Sequence, residues 1–490
     1  MKRVVVLAVL TGALLLSLQT GSAQQSVPYP LRASPERVRA LVQAWNDGLP
    51  YVPGEVLVKF RPGAAAGRAA VLSMLRGAPA TRHETWIGDT LLVRSAADPE
   101  SPAVALQLAQ QPEVEWAQPN YLLRTGATPT DPSYFRQWNM DAIRMPEAWD
   151  INPGAGASVT VAVIDTGVTA ASQTLSVPLW TGSAIQTVAI PVAANPDIAG
   201  ARFAPGVDFV FWTGPVIDFD GHGTHVAGTA LQETNNAVGL AGVAYQARVM
   251  PLKVCLGYWD LQFMASASGV PGSIDPADEG FCPLAEILQA MRYAVDNGAR
   301  VLNLSLSAPF PLQAWADTMR YVVEQGGFLS LAAGNSFEEG NPVEYPAGYA
   351  NTIDGAMAVG AVGRSRIRSY FSNTGPHIEI VAPGGDVRAG GLPGVIYQSG
   401  LFFPDYDPVT VTVPRFDRYV DVPSQGTSMA APHVAGLAAL LYAQGITRPA
   451  AIEAAIKAFA TDLGAPGRDD QYGYGLIDAR TSLRGRGAAR

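Results

Sequence analysis

Val159-Thr160-Val161-Ala162-Val163-Ile164-Asp165-Thr166-Gly167 is the most informative stretch of the chain, because a largely apolar run ends there in Asp-Thr-Gly. Such a run is typical of a strand that is buried on both faces, as in parallel sheets. The runs 249–254, 301–306 and 328–332 are similar, and helical patterns such as 225–231 and 285–297 separate them. This alternation predicts an α/β fold with a doubly wound, mostly parallel sheet.

The residues before this stretch follow a different pattern, in which short alternating strands and two helical segments succeed one another. Strands are expected at 55–60, 81–87, 90–94 and 114–117, and helices at 64–76 and 102–110. The order β-α-β-β-α-β predicts a small α+β domain of ferredoxin-like type. A Thr/Gly/Pro-rich stretch that ends at Pro132 is expected to be a linker. We therefore expect one domain at 24–126, with its core at 51–121, and a second at 127–490.

The N-terminus has the features of a secretory signal. Lys2 and Arg3 precede an apolar run at 4–16, and small residues follow at Gly21-Ser22-Ala23. The alternative is a membrane anchor, but the run is shorter than the ~20 residues that a membrane span requires. We therefore expect a signal peptide at 1–23 and a secreted product without a membrane anchor.

Composition argues against several classes of protein. Of the 490 residues, 48% are hydrophobic and 15% are charged, which is typical of a folded chain. The net charge of −9 and the pI near 5.1 argue against nucleic-acid binding, which needs a basic surface. Two cysteines are too few for a four-cysteine zinc site. In an exported protein Cys255 and Cys282 are expected to form a disulfide, with two free thiols as the alternative.

Three short segments combine Gly with residues that can carry nucleophilic catalysis. They are Asp165-Thr166-Gly167, the stretch 220–228 with His222, and the stretch 426–433 with Ser428. A Ser hydroxyl becomes a good nucleophile when an imidazole accepts its proton, and a carboxylate fixes the tautomer of that imidazole. Each segment alone is more often structural, as a strand-end turn, a loop histidine or a helix N-cap. Their occurrence together on an α/β pattern predicts an Asp-His-Ser site.

In these motifs the chain resembles the subtilisin-like serine proteases. The matching segments are 163–167 (VIDTG), 221–228 (GHGTHVAG), 332–335 (AAGN) and 426–436 (GTSMAAPHVAG), and the order Asp, His, Ser is that of subtilisin. The resemblance extends over about 131–483, and the segment before it resembles the inhibitory propeptide of the family. It implies a secreted serine endopeptidase that forms an acyl-enzyme and processes itself from a proenzyme.

The resemblance also implies a role for each catalytic position. Asp165 would orient the base, His222 would act as general base and acid, and Ser428 would be the nucleophile. Asn335 would supply a side-chain N–H to the oxyanion, with the backbone N–H of Ser428 as the second donor. The expected partners are protein or peptide substrates and the chain's own propeptide, and we expect a monomer.

Two other functions remain as alternatives. A serine esterase or lipase would carry a G-x-S-x-G motif and the order Ser, acid, His, whereas Ser428 lies in Gly-Thr-Ser-Met-Ala and the order is reversed. A catalytically silent protease fold would act as a binding or inhibitory module, although all four catalytic positions are intact. Removal of the propeptide by the chain itself would distinguish a protease from the silent module. The resemblance implies a cut between Tyr121 and Thr130, and Arg124 is one position for this cut.

Substrate-binding positions follow from the same resemblance. Leu304, Ser305 and Leu306 would pair with the substrate backbone as the edge of a strand. Ala333 and Gly334 would form a wall of the pocket for the residue before the scissile bond.

One further residue bears on specificity. Glu344 precedes Tyr345-Pro346, a position that in the resemblance lies near the base of that pocket. A carboxylate there would favour Arg or Lys in the substrate, and the alternative is a solvated loop glutamate. Ser307 and Ala308 stand where the family usually has two glycines, which would narrow the pocket entrance.

A structural Ca²⁺ is the one cofactor that the resemblance implies. The segment 234–240 (TNNAVGL) resembles the high-affinity calcium loop of the family, and oxygen ligands of this kind suit calcium. The alternative is an ordinary Asn-rich turn. The expected ligands are the side chains of Asp131, Asp197 and Asn236 and the backbone carbonyls of Thr234, Val238 and Leu240.

Overall fold

The computed structural model of the chain describes most of its residues. The described ranges are 35–46, 51–64, 82–95, 101–121, 129–181, 183–210, 214–269, 280–402 and 414–485. The expected signal at 1–23, nearly all of the expected helix at 64–76 and most of the expected linker lie outside these ranges. The chain divides into two units, Met1–Thr125 and Gly126–Arg490.

The first unit contains a small antiparallel sheet. Its strands are β1 (Tyr51–Phe60), β2 (Arg82–Ile87), β3 (Thr90–Ser95) and β4 (Val114–Tyr121). The strand order is β2-β3-β1-β4, and the helix Ser101–Ala109 packs on the sheet through Val104 and Leu108. This order fits the ferredoxin-like type expected from the sequence. The helix Pro35–Asn46 was not expected.

The second unit contains the other eleven described strands. They are β5 (Thr160–Asp165), β6 (Gln173–Trp180), β7 (Ile185–Val192), β8 (Val207–Asp208), β9 (Arg248–Lys253), β10 (Val301–Leu304), β11 (Phe328–Ala332), β12 (Ala356–Val362), β13 (Ile380–Pro383), β14 (Ile396–Leu401) and β15 (Tyr419–Ser424). Seven of these strands form one sheet in the order β13-β12-β11-β10-β5-β9-β8. All its neighbouring strands are parallel, so the expected α/β class and parallel sheet are confirmed.

Both faces of this sheet are buried, as the apolar runs predict. On β5, Val161 and Val163 belong to one hydrophobic core and Ala162 and Ile164 to another. Side chains alternate between the two faces of a strand, so the two cores lie on opposite sides of the sheet. Burying one Val or Ile side chain contributes roughly 1.5–3 kcal/mol, and this is why the strand needs apolar residues at every position.

Helices cover the sheet and carry the site motifs. The main helices of the second unit are Met145–Ile151, His222–Leu231, Tyr258–Ala267, Leu284–Asp296, Gln313–Glu324, Thr427–Ala443, Pro449–Ala458 and Ala479–Arg484, with short ones at Trp138–Ala142 and Val387–Gly390. The helix Thr427–Ala443 is almost fully buried against β10 to β13. Among the described residues, no helix has both the length and the hydropathy needed to cross a membrane.

Three segments outside the seven-stranded sheet, which we call the inserted segments, build an additional small core. The paired strands β6 and β7, the helix Tyr258–Ala267 and the paired strands β14 and β15 contribute apolar side chains to it. A disulfide joins Cys255 and Cys282 and closes the segment that carries the helix. Phe219, three residues before the candidate base His222, lies fully buried in this core.

Candidate active site

Asp165 ends the central strand β5, at the carboxyl edge of the sheet. Ligand sites of open α/β sheets lie at this edge, beside the point where the strand order reverses. The side chain is buried, and its Oδ1 accepts hydrogen bonds from the Thr166 N–H at 2.7 Å and from His222 Nδ1 at 2.7 Å. Because Nδ1 donates to the carboxylate, Nε2 of His222 is left as the nitrogen that can accept a proton.

His222 is the first residue of a helix, and a buried carboxylate fixes the loop before it. Asp218 accepts hydrogen bonds from the backbone N–H groups of Asp220, Gly221 and Thr224, at 2.8–3.0 Å. It satisfies donors that the first turn of a helix leaves free. Close packing extends to Gly223, where an added Cβ would lie 2.4 Å from the carbonyl oxygen of Gly167. The histidine therefore sits on a rigid base.

The charges around His222 set its protonation. Burial lowers the pKa of His222, but the charge and hydrogen bond of Asp165, with the carboxylates of Asp220 and Asp218, outweigh burial and raise this pKa to about 9. Nearby negative charge favours the imidazolium form. The same carboxylates would therefore stabilise the imidazolium that forms when the ring accepts a proton.

Ser428 lies in the first turn of the helix Thr427–Ala443. Backbone N–H groups in a first turn have no intrahelical partner, so the Ser428 N–H is available to an anion. Pro432 has no N–H, so the helix cannot supply the usual donor to the Ser428 carbonyl. The hydroxyl of Ser305 occupies that place, 2.9 Å from the carbonyl oxygen. Ser305 thus ties the end of β10 to the Ser428 backbone.

Asn335 follows β11 and is held by Thr427, the residue before Ser428. Its Oδ1 accepts hydrogen bonds from the Thr427 N–H at 2.8 Å and from the Thr427 hydroxyl at 3.0 Å. This fixes the amide plane, and Nδ2 donates to no residue in the described part of the chain. The side-chain N–H groups of Asn335 and the backbone N–H of Ser428 thus belong to two segments that Thr427 joins.

One cleft of about 740 Å³ brings these residues together. It is lined by Asp165, His222, Asn335 and Ser428 and by both cysteines of the disulfide. The Ser428 hydroxyl donates to the carbonyl of Ser305 at 3.4 Å rather than to His222. Apo geometry of catalytic hydrogen bonds is often loose in this way and does not exclude a role.

Two of the expected substrate-binding residues line the cleft, and the other four lie behind its walls. Ser305 and Leu306 line the cleft, together with Ser307 and Ala308. Leu304 is fully buried in β10, so its side chain does not reach the cleft. The remaining expected residues, Ala333, Gly334 and Glu344, lie outside the lining, behind its walls.

The expected calcium ligands lie together around the loop 234–240, which follows the helix His222–Leu231. Asp197 is fully buried, and its carboxylate accepts hydrogen bonds from Asn236 Nδ2 at 2.7 Å and from the Leu240 N–H at 3.1 Å. The Asp131 carboxylate accepts from the N–H groups of Asn235 and Asn236 at 2.9 and 3.3 Å.

The loop carbonyls complete this donor set. No described residue donates a hydrogen bond to the carbonyl oxygens of Thr234, Val238 or Leu240. Two buried carboxylates, one amide and three free carbonyls form an all-oxygen set once the Asn236 amide is rotated, and such a set suits calcium. Described residues contain no cluster of three or more His, Cys, Asp or Glu side chains that could hold a metal ion, so the carbonyls are essential to the fit.

Several supporting residues were not expected from the sequence. Thr427 and Asp218 act through contacts described above. Lys253 and Asp260 form a fully buried ion pair at 3.1 Å, and the Lys253 Nζ also donates to the Thr166 carbonyl at 2.6 Å, directly behind Asp165. The only available signal was a Lys inside an apolar strand, which indicates a buried partner but does not identify it.

The fold and the site together define a serine protease of the α/β type, and comparison with known proteins gives its family. Residues 156–475 match the sequence profile described as the subtilase family, and residues 39–120 match the fervidolysin N-terminal prodomain. The chain belongs to the subtilase family; it is a serine endopeptidase with an N-terminal prodomain.

Individual relatives agree with this assignment. The thermophilic serine proteinase of Bacillus sp. (strain AK1) is 32% identical over 443 residues, which are 90% of this chain and 90% of that protein. Subtilisin Savinase of Lederbergia lenta is 32% identical over 71% of this chain and 98% of its own length. Among solved structures, a protease from Pseudoalteromonas arctica PAMC 21717 matches with a TM-score of 0.53 and 25% identity. The match covers 74% of this chain and 100% of that protease chain.

Proposed function

We propose that Asp165, His222 and Ser428 form the catalytic triad of a secreted endopeptidase. The observation that carries this proposal is the 2.7 Å hydrogen bond between His222 Nδ1 and Asp165 Oδ1, in the same cleft as Ser428. It holds the imidazole in the tautomer that can accept the hydroxyl proton of Ser428.

The reaction proceeds in two halves. The Ser428 Oγ attacks the scissile carbonyl while His222 Nε2 takes its proton, and the tetrahedral oxyanion accepts hydrogen bonds from Asn335 Nδ2 and the Ser428 N–H. His222 then gives the proton to the leaving amine, and the C–N bond breaks to leave an acyl-enzyme. Water then attacks the acyl-enzyme while His222 takes its proton, and the bond between the acyl group and Ser428 breaks. The Asp165 carboxylate stabilises the imidazolium.

The substrate backbone is proposed to bind along the end of β10. Ser305 and Leu306 line the cleft beside Ser428, and they lie beyond Leu304, the last residue of β10 that pairs with β5 and β11. An extended peptide can pair with their backbone. Backbone pairing of this kind accepts many sequences, so side-chain selectivity must come from the cleft walls.

The chain is proposed to be made as a secreted proenzyme. The charged and apolar N-terminus supports a signal at 1–23, and the match of 39–120 to a prodomain supports a propeptide at 24–126. The catalytic domain would then comprise 127–490. The propeptide would act as an intramolecular inhibitor until it is cut between Tyr121 and Thr130.

Calcium is proposed to bind at the loop 234–240, where it would hold the loop to Asp131 and Asp197. When bound, the ion supplies positive charge to two buried carboxylates and otherwise takes no part in the chemistry.

The test of the triad is covalent labelling with a fluorophosphonate, which reacts with an activated serine. We expect one adduct per molecule, located on Ser428, in parallel with hydrolysis of casein. Ser428→Ala should lose both the adduct and the hydrolysis, whereas Ser365→Ala, a matched change at an exposed serine, should keep both. Wild type that folds but forms no adduct and cuts no protein would support the silent binding module instead.

A further inference from the structure

The charge of the cleft is one-sided. Its described lining contains Asp165, Asp220 and His222 and no Lys or Arg. The Asp165 carboxylate is hydrogen-bonded to His222, whereas Asp220 forms no ion pair among the described residues. When His222 is in the neutral form that the proposed mechanism needs, the described lining carries only negative charge, and such a cleft raises the local concentration of cationic groups.

A second carboxylate lies directly behind the cleft wall. Glu344 is only 7% exposed, and its carboxylate accepts hydrogen bonds from the hydroxyl of Ser307 and from Asn373 Nδ2. Both donors are neutral, and no described cation pairs with Glu344. Both carboxylate oxygens have a hydrogen-bond donor, but neither donor carries a charge, so a cation that reached Glu344 would meet a carboxylate with no other cationic partner among the described residues.

Glu344 is also close to the proposed oxyanion donors. A Cβ added to Gly334 would lie 2.5 Å from the Glu344 carboxyl carbon, and Gly334 directly precedes Asn335. The carboxylate therefore lies behind Ser307 and Gly334, on the Asn335 side of the cleft. Ser307, whose hydroxyl donates to Glu344, lines the cleft, so this carboxylate is in direct contact with the cleft wall.

Asp220 lies on the other side, in the loop that leads to His222. Its Oδ1 accepts the His222 N–H at 3.0 Å, and the residue is half-buried at the cleft wall. Consecutive side chains of an extended peptide point in opposite directions. When one substrate side chain points toward Glu344, the preceding one can therefore point toward Asp220.

We propose that the cleft selects paired basic residues: Lys or Arg directly before the scissile bond, bound by Glu344, and a second one before it, bound by Asp220. This inference rests on the proposed triad and adds the substrate class. A buried hydrogen bond between charged partners, as proposed for Glu344, is worth about 1.5–3 kcal/mol, or roughly 10–100-fold in kcat/KM. A more exposed ion pair, as proposed for Asp220, changes kcat/KM by roughly 2–5-fold. Glu344 is thus the main determinant.

The experiment uses four fluorogenic peptides that differ only in the two residues before the cut: Arg-Arg, Ala-Arg, Ala-Phe and Ala-Ala. For the mature wild type, kcat/KM should be highest for Arg-Arg, then Ala-Arg, with Ala-Phe and Ala-Ala at least 10-fold lower. Glu344→Gln should reduce the ratio of Ala-Arg to Ala-Phe by about 10–100-fold. Asp220→Asn should reduce only the ratio of Arg-Arg to Ala-Arg. In wild type, 0.5 M salt should reduce the same ratio, because it screens the proposed charge pair.

The matched control is Glu339→Gln, which removes the same charge from an exposed position in the loop before Glu344 and should change neither ratio. Wild type that prefers Ala-Phe overturns the proposal. A preference for Ala-Ala also overturns it, and shows that Ser307 and Glu344 close the pocket. These outcomes depend on wild type alone and do not require the variants to fold. Loss of hydrolysis of every peptide and of casein would instead contradict the proposed function.

Discussion

At the scale of the residue, the carboxylates around His222 determine when the base is active. The proposed mechanism needs a neutral imidazole, and the pKa of His222 is raised to about 9 because Asp165, Asp220 and Asp218 outweigh burial. Activity should therefore be low where the ring is protonated and should rise as the pH increases through this pKa.

This predicts an alkaline protease. The acid limb of kcat/KM against pH, measured on an uncharged peptide, should have its midpoint above the ordinary histidine value of 6.5, toward 9. Asp220→Asn removes one of the carboxylates and should shift the midpoint to lower pH. A wild-type midpoint at or below 6.5 would show that the carboxylates do not control the base.

The second residue-scale prediction concerns Asn335. Asn335→Leu keeps the approximate size of the side chain but removes the proposed oxyanion donor. We expect kcat to fall by about 10²–10³ with little change in KM, a magnitude known from subtilisin itself. Steady-state kinetics on the Ala-Phe peptide gives both constants, and circular dichroism checks the fold. An unchanged kcat would remove Asn335 from the mechanism.

Sequence reasoning at this scale predicted the candidate catalytic residues but not the residues that hold them in place. Asp165, His222 and Ser428 stand in long motifs, which can be recognised without a structure. Thr427 and Ser305 form hydrogen bonds with residues far away in the chain, and no local sequence pattern predicts such contacts. Thr427 bonds to Asn335, 92 positions away. Long-range polar contacts of this kind become visible only when the sheet has brought the segments together.

At the scale of the element, the inserted segments anchor the loop that carries His222. The Phe219 ring contacts those of Phe263 and Phe416, with centroid distances of 5.2 and 4.9 Å. Phe219 lies between Asp218 and Asp220, so the insertion core and the polar contacts of the loop fix the same three residues. The insertions therefore support the site although they contribute no catalytic group.

Phe219→Ala tests this support. Removing a buried Phe typically costs 3–5 kcal/mol, so we expect a lower Tm together with a lower kcat, because the His222 loop loses its anchor. Phe135→Ala, at a ring that is 80% exposed, is the control and should change neither quantity. Thermal unfolding and peptide hydrolysis are measured on the same preparations. A fall in Tm without any change in kcat would separate the insertion core from the site.

The calcium loop gives a second prediction at this scale. A ligand at 100 times its Kd stabilises the folded state by about 2.7 kcal/mol, so removal of calcium with EGTA should lower the Tm by several degrees. Asp197→Asn should lose most of this calcium dependence, whereas Asp354→Asn, at an exposed aspartate, should keep it. Equal melting temperatures with calcium and with EGTA in wild type would reject the site.

Elements were predictable where one physical pattern dominates. The runs at β5, β9, β10 and β11 are mostly apolar, because both faces of the sheet are covered. The hairpin of β6 and β7 was missed, because Pro178 and several polar residues interrupt its alternation. The helix expected at 225–231 begins at His222, because Gly221 and Gly223 have low helix propensity and hide its first turn.

At the scale of the whole molecule, the chain consists of two units with different sheet types. The change from short alternating strands to long apolar runs predicted two domains, with a boundary at 126/127. The units described by the structure meet at Thr125 and Gly126. Such a division is visible in sequence because antiparallel sheets with one exposed face alternate and buried parallel sheets do not.

Self-processing is the prediction at this scale. A subtilase with an active triad should cut its own linker, and a chain without Ser428 should keep it. The inferred preference for basic residues suits Arg124, which lies within the expected window between Tyr121 and Thr130.

The most direct measurement is the intact mass of the chain, produced without its signal and refolded in the absence of other proteases, for wild type beside Ser428→Ala. The account predicts that only wild type loses the segment that ends between Tyr121 and Thr130. It is contradicted if both chains keep their full mass after refolding, or if Ser428→Ala shortens at the same position as wild type.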